Sequence, residues 1–306
     1  MRLTKNELSF LSKIYENTNP LNLFSSSSAS LQGNEEKLLE EKGVLKGGKP
    51  APEAHKLLRL AANPQRCTRL ILKDGDYLVE KYAYRVEEDY VLMENDGGEV
   101  LFSPKEKMNE VLFQLSQWVG ISDFKTFDIH ETLSDDELLI FFAMADIQRE
   151  KELLTYLGQE AENEIPFSRI REQLEDPRPG SLTSILIGHY NYSIPGIEDT
   201  KNILDRLIVA KIADFQAGKP KAGYFLVGAC EEFTEKFLIP QVVVMLETFN
   251  RIEEKKLVGA GVLCIWAGMR EILSLVFREG ATVITSISGR QLLTMMEDFL
   301  NCPDVS

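Results

Sequence analysis

The order of local signals along this chain repeats, and that repetition constrains the fold more than any single motif. Leu3-Thr4-Lys5-Asn6-Glu7-Leu8 puts Thr three residues before Glu at the head of an apolar-periodic stretch. This is the pattern of a capping box, in which each side chain takes a backbone N–H of the other residue, so a helix begins there. Leu133-Ser134-Asp135-Asp136-Glu137-Leu138 repeats the device between the same flanking leucines and leads into a helical run from Leu139 to Leu157. Each half then carries a helix that ends on a Gly-Lys-Pro turn, Leu38 to Gly48-Lys49-Pro50 and Ile203 to Gly218-Lys219-Pro220. Helical stretches follow at Glu53 to Ala62 and Tyr224 to Phe237.

Beyond these helices the periodicity changes to two, the mark of strands. The first half offers strands at about 67–73, 76–86, 89–95 and 98–102, joined by the tight-turn sequences Lys73-Asp74-Gly75-Asp76 and Asn95-Asp96-Gly97-Gly98. The second half offers about 241–249, 257–267, 271–278 and 281–287. Both sets end in a capped helix, Ser103-Pro104 to Val119 and Ser288 to Leu300. The predicted fold is therefore α+β. It has two similar halves, each with helices, a four-stranded antiparallel sheet and a closing helix, against the simpler reading that two unrelated helix-then-sheet domains share common caps. The expected division is 1–120, a junction at 121–132, and 133–306 with a helical insertion around 150–200. Phe24 to Gly33, with four consecutive serines, reads as a polar loop.

With 306 residues and 44% apolar content the chain can bury a full core, so disorder is excluded. The net charge is −14, with most of the acidity after residue 130. Displacing counterions from nucleic acid needs a basic face, and no Lys/Arg run supplies one, so nucleic acid is not an expected partner. Met1 to Phe10 lacks the apolar core of a signal peptide, and the expected location is the cytoplasm. The longest apolar run, Leu257 to Met269, is too short for a membrane helix and reads as a buried strand; no membrane insertion is expected.

Several chemical motifs fail on inspection. Gly43 to Lys49 fits G-x-x-x-x-G-K, but Pro50 stands where a magnesium-binding hydroxyl belongs, and a helix, not a strand, precedes it. Gly259-Ala260-Gly261 begins like a dinucleotide fingerprint, yet Cys264 occupies the third glycine position. Cys67, Cys230, Cys264 and Cys302 form no C-x-x-C pair, and His55, His130 and His189 have no second ligand at metal spacing. No G-x-S-x-G elbow is present. His189, in Gly188-His189-Tyr190, reads as a loop histidine. No catalytic residue, cofactor or metal is expected, and the chain reads as a protein that binds another protein.

Three stretches carry a resemblance to a known family: Leu3-Thr4 with Glu7-Leu8, Leu39 with Gly43-Val44-Leu45, and Glu53-Ala54, Leu57-Leu58, Leu60-Ala61 and Pro64 leading into a sheet. With the duplicated order, the chain resembles the EspG family of type VII secretion chaperones, whose members have two similar halves related by a pseudo-twofold axis. The resemblance implies a cytosolic, non-enzymatic chaperone that holds a helical secretion substrate by its hydrophobic tip. No family residue carries over individually. From their chemistry, Met245, Phe249, Ile252 and Trp266, on or beside second-half strands, are the expected partner contacts, against the simpler reading that they are core. An exposed sheet edge in either half would allow a homodimer by strand sharing. The competing readings are a winged-helix-like regulatory or ligand-binding protein built on the first 65 residues, and an enzyme of unrecognised type.

Overall fold

The computed structural model of the protein describes residues 1–26, 33–96, 98–159, 164–189, 192–218, 222–254, 256–268 and 270–305. It is an α+β protein of helices and a large antiparallel sheet. The chain runs β1 (Arg2–Thr4), α1 (Lys5–Ser12), α2 (Glu35–Glu41), β2 (Leu45–Lys46), β3 (Lys49–Pro50) and α3 (Pro52–Ala62). Next come β4 (Arg66–Asp74), β5 (Tyr77–Val86), β6 (Asp89–Asp96), β7 (Glu99–Ser103) and α4 (Met108–Val119). After β8 (His130–Leu133) the helices are α5 (Asp135–Tyr156), α6 (Phe167–Glu175), α7 (Leu182–His189) and α8 (Ile197–Val209). Then follow β9 (Ala213–Gln216), β10 (Gly223–Leu226), α9 (Ala229–Lys236), β11 (Val242–Glu253), β12 (Lys256–Gly268), β13 (Glu271–Arg278), β14 (Ala281–Ile287) and α10 (Gly289–Leu300).

Both capping boxes form. Glu7 N donates to Thr4 Oγ1 at 3.2 Å while Thr4 N donates to Glu7 Oε2 at 2.6 Å. The Ser134–Glu137 pair repeats this at 3.4 and 2.9 Å, and Ser288 with Gln291 caps α10 in the same way. Pairs three residues apart are decided by local geometry, which is why the sequence shows them.

The expected four-stranded sheets are corrected, because β1 adds beside β7 and β8 beside β14 in one larger hydrogen-bonded sheet; three local expectations are corrected as well. Gly47 and Gly48, with φ of +60° and +72°, turn the β2–β3 hairpin, so this Gly-Lys-Pro does not end a helix. Tyr224 to Leu226 is strand β10, paired with β9 and bridged by Ile165, and only α9 of the expected Tyr224–Phe237 helix is helical. A short aromatic run of this kind satisfies either period, and the pairing strand decides. The first closing helix starts as a 3-10 turn over Lys105–Lys107 before α4, without a side-chain cap. His189 is the last residue of α7. The serine-rich stretch 27–32 and the second Gly-Lys-Pro at Lys219-Pro220 lie outside the described residues.

Contacts group the chain into two compact units. The first holds Met1–Gly120, Val244–Val262 and Leu292–Ser306, and the second holds Ile121–Val243 and Leu263–Gln291. In the first unit the hydrogen-bonded strand order is β1-β7-β6-β5-β4-β11, followed by the first part of β12. One sheet face, with Leu3, Tyr84, Val91, Met93, Val100 and Phe102, packs with Leu8, Leu11, Leu39 and Leu58 of α1–α3 into one core. In the second unit the order is the last part of β12, then β13-β14-β8. There α5 is buried continuously from Leu138 to Arg149 and is surrounded by α6, α7, α8 and α9. Its apolar run from Leu138 to Ala145 is buried on every side, and the polar Asp146, Gln148 and Arg149 that follow are buried with it.

Candidate functional site

The face of the first unit's sheet that α1–α3 cover over β7 and β6 stays half-open over β5, β4, β11 and the start of β12. Alternation along β11 buries Val244, Leu246, Thr248 and Asn250 and leaves Met245, Glu247 and Phe249 half-buried on the opposite face. The pairing register puts Arg69 opposite Tyr82 and Ile71 opposite Glu80, again half-buried. The Arg69–Glu247 ion pair shows that β4 and β11 present these residues on the same side.

Glycines on β12 widen the surface. A Cβ on Gly259 would lie 2.9 Å from Phe249 Cδ1 and 3.1 Å from Thr248 O, so the phenyl ring occupies the space that a side chain would take. Gly261 lies beside Leu246 O and Glu247 Cγ. The result is a shallow, side-chain-poor strip bordered by Met245 and Phe249. We expect Gly259→Val to destabilise the protein by about 1–3 kcal/mol, because the added side chain must displace the Phe249 ring that fills its place. Urea unfolding measures the loss, and in a Phe249→Ala background the penalty should shrink. An equal penalty in both backgrounds would show that the ring is not what Gly259 accommodates.

Two carboxylates flank Arg69 on this strip. Its terminal nitrogens are 3.8 Å from Glu80 Oε1 and 3.8 Å from Glu247 Oε2. Asn95 Nδ2 donates to the other Glu80 oxygen at 2.8 Å. Burial, then the Glu80 charge, raises the Tyr82 phenol above its ordinary value, and the Arg69 charge and its hydrogen bond to the phenol oppose the rise. Tyr82 is therefore a neutral hydroxyl at physiological pH.

The four residues expected from sequence do not form one cluster. Met245 and Phe249 share the open face. Ile252, at the exposed end of β11, falls on the opposite side of the alternation and lines a polar cleft of about 750 Å³ with Asn17, Asn63, Arg251 and Glu253. Trp266 belongs to the second unit and is buried there. Sequence reasoning did not single out Ile71, Arg69, Tyr82, Glu80 or Glu247. A half-buried alternation on β4 was the only available signal, and it does not say which strand lies alongside.

The four cysteines are all buried as free thiols. Burial pushes the Cys230 and Cys264 thiols up to about 12 and Cys302 to about 11, and raises Cys67 well above its usual value. Such thiols stay protonated and are poor nucleophiles. Among the described residues no three His, Cys, Asp or Glu side chains are placed to hold a metal ion, and no helix is long and apolar enough to cross a membrane.

Architecture and surface together define an α+β protein with a half-open sheet face of mixed apolar and charged character. No family model matches the chain, and no curated protein matches it in sequence. Among solved structures it is similar to the Mycobacterium tuberculosis type VII secretion system chaperone EspG5, determined in complex with a PE25-PPE41 dimer. The likeness covers 100% of this chain and 97% of that one, with a TM-score of 0.54 and 8% sequence identity. The chain has an EspG-like fold, and at this identity the likeness is one of backbone.

Proposed function

We propose that the protein is a non-enzymatic chaperone or adaptor that binds a helical protein substrate of a type VII secretion system in the cytoplasm. The observation that carries this reading is the likeness to EspG5 along the whole of both chains, since that protein was solved with a bound protein dimer. The docking surface is the half-open face bordered by Met245 and Phe249. A strip with large apolar side chains beside bare glycines can cover an amphipathic partner that would otherwise self-associate. Ile252 and Trp266 complete the original expectation; Ile252 would add to the rim, while Trp266 would act through packing. We also read the chain as an ancient duplication of 1–120 and 133–306, joined at 121–132, with the helices around 150–200 inserted in the second copy. The repeated order of four strands and a closing helix supports this.

The test is recovery of a stoichiometric partner with the tagged chain from its host, followed by reconstitution from the two purified proteins. The double variant Met245→Asp/Phe249→Asp should weaken that complex by roughly a hundredfold or more, since each change puts a carboxylate beside Glu247 where an apolar contact stood. Unchanged affinity in this variant, or no stoichiometric partner at all, would remove the reading.

A further inference from the structure

Within the second unit, α5, the loop from α6 to α7 and the segment after α9 line a pocket of about 410 Å³. That volume lies at the lower end of small-molecule sites. Asp146, Arg149 and Gln173 line it and are only 8%, 6% and 3% exposed. Leu153, Ile239 and Pro240 add apolar wall. Hydrogen-bonding capacity is left over among the buried polar groups. Gln173 Nε2 donates to Asp146 Oδ2 over a long 3.4 Å, and Gln173 Oε1 accepts no hydrogen bond from the described residues. Turning the carboxamide over would set that oxygen against the Asp146 carboxylate, so chemistry fixes which end is free. Arg149 gives Nε to Phe237 O and Leu238 O, one Nη1 hydrogen to Asp146 and one Nη2 hydrogen to Leu238 O. One N–H remains on each terminal nitrogen. A buried carbonyl oxygen without a donor is costly, and folded proteins seldom keep one that nothing fills.

Charge selects what the pocket takes. Asp146 is paired with Arg149 at 2.6 Å and Glu150 with Arg178 at 2.5 Å, so each charge that lines the pocket already faces its opposite. The first amides of α7, a place where an anion could otherwise sit, are taken by Asp146. An ionic ligand would shed its hydration and find no unpaired opposite charge. A neutral group that both donates and accepts loses less on leaving water, and it matches a free oxygen beside free N–H groups. We propose that this pocket binds a small uncharged ligand ending in a primary amide or a hydroxyl. That group donates to Gln173 Oε1 and accepts from Arg149, with the ligand's apolar body against Leu153, Ile239 and Pro240. The proposal is independent of the docking face on the first unit.

The experiment uses the full chain and three probes of one shape: benzamide, benzoate and benzamidine, which are neutral, anionic and cationic at pH 7. Binding is followed by amide NMR shifts on the isotope-labelled protein, and each variant is shown to be folded by its melting transition. Benzamide should bind with a Kd on the order of 1 mM, as a ligand of this size can. Its shifts should centre on Arg178–Ser181 and Leu238–Ile239. Benzoate and benzamidine should bind about tenfold more weakly or worse, for want of a counter-charge. Gln173→Met keeps the length of the side chain and removes the acceptor, so it should weaken benzamide about three- to tenfold. Ile239→Ser should weaken it as well by removing apolar wall. Benzoate or benzamidine binding as tightly as benzamide would overturn the neutral ligand class. Wild-type affinity in Gln173→Met would overturn the role of its oxygen. No saturable shift from benzamide up to its solubility limit would mean that the pocket holds water alone, and the proposal would fall.

Discussion

Asp146→Ala should destabilise the second unit by about 3–5 kcal/mol, the range seen when one member of a buried ion pair is removed. Asp146 is 8% exposed and lies on the enclosed helix α5. Its carboxylate accepts the N–H of Leu182 at 2.9 Å and both the N–H and the hydroxyl of Thr183 at 2.8 and 2.6 Å. It also accepts Arg149 Nη1 at 2.6 Å. One side chain thus satisfies the first amides of α7 and neutralises a guanidinium that is itself 6% exposed. Arg149 Nε in turn donates to Phe237 O at 2.5 Å and Leu238 O at 3.0 Å, which fixes the end of α9. Alanine would leave a buried cation without its counter-charge, and two buried N–H groups and the Thr183 hydroxyl without this acceptor. Asparagine should cost nearly as much, because its NH₂ would face donors. Urea unfolding followed by circular dichroism checks this, and a loss below about 1 kcal/mol in Asp146→Ala would contradict the account.

Phe233→Ala should be comparably severe, again about 3–5 kcal/mol, as transfer and cavity terms add for a buried aromatic. The ring is fully buried and sits among three others: Phe237 at 5.1 Å, Phe127 at 5.3 Å edge-on, and Phe141 at 6.1 Å between centroids. These rings come from α9, α5 and the segment before β8, so the neighbours are fixed by separate elements and cannot readily close over the hole. The same unfolding measurement applies. A loss under about 1.5 kcal/mol would mean that the cluster repacks, and that its aromatic contacts matter less than its volume.

Much of the fold was legible because it depends on neighbours in sequence. The strands of the first half fall within a few residues of the expected spans, and Asp74-Gly75 turns β4 into β5 with Gly75 at φ +56°. The apolar run from Leu257 is a strand, β12, as its length required. Legibility failed where a partner element decides the outcome. Tyr224 to Leu226 became a strand because β9 lies beside it, and the capping boxes give no information on that pairing. The placement of the four expected contacts was legible only within one strand. Met245 and Phe249 share a face because strand alternation is local, whereas Ile252 belongs to the opposite side and Trp266 is buried in another unit. Composition had marked all four equally.

The sequence by itself determined the α+β class, the three capped helix starts and the approximate spans of the longer strands, because each follows from contacts within a few residues and from the period of apolar positions. Tertiary structure alone decided that residues 244–262 and 292–306 pack with the first 120, and that Arg69 stands between Glu80 and Glu247. Those outcomes depend on which distant strands pair. Strand pairing is selected by the sum of many weak cross-strand and packing contacts set against loop closure, and no local pattern in the chain records that sum.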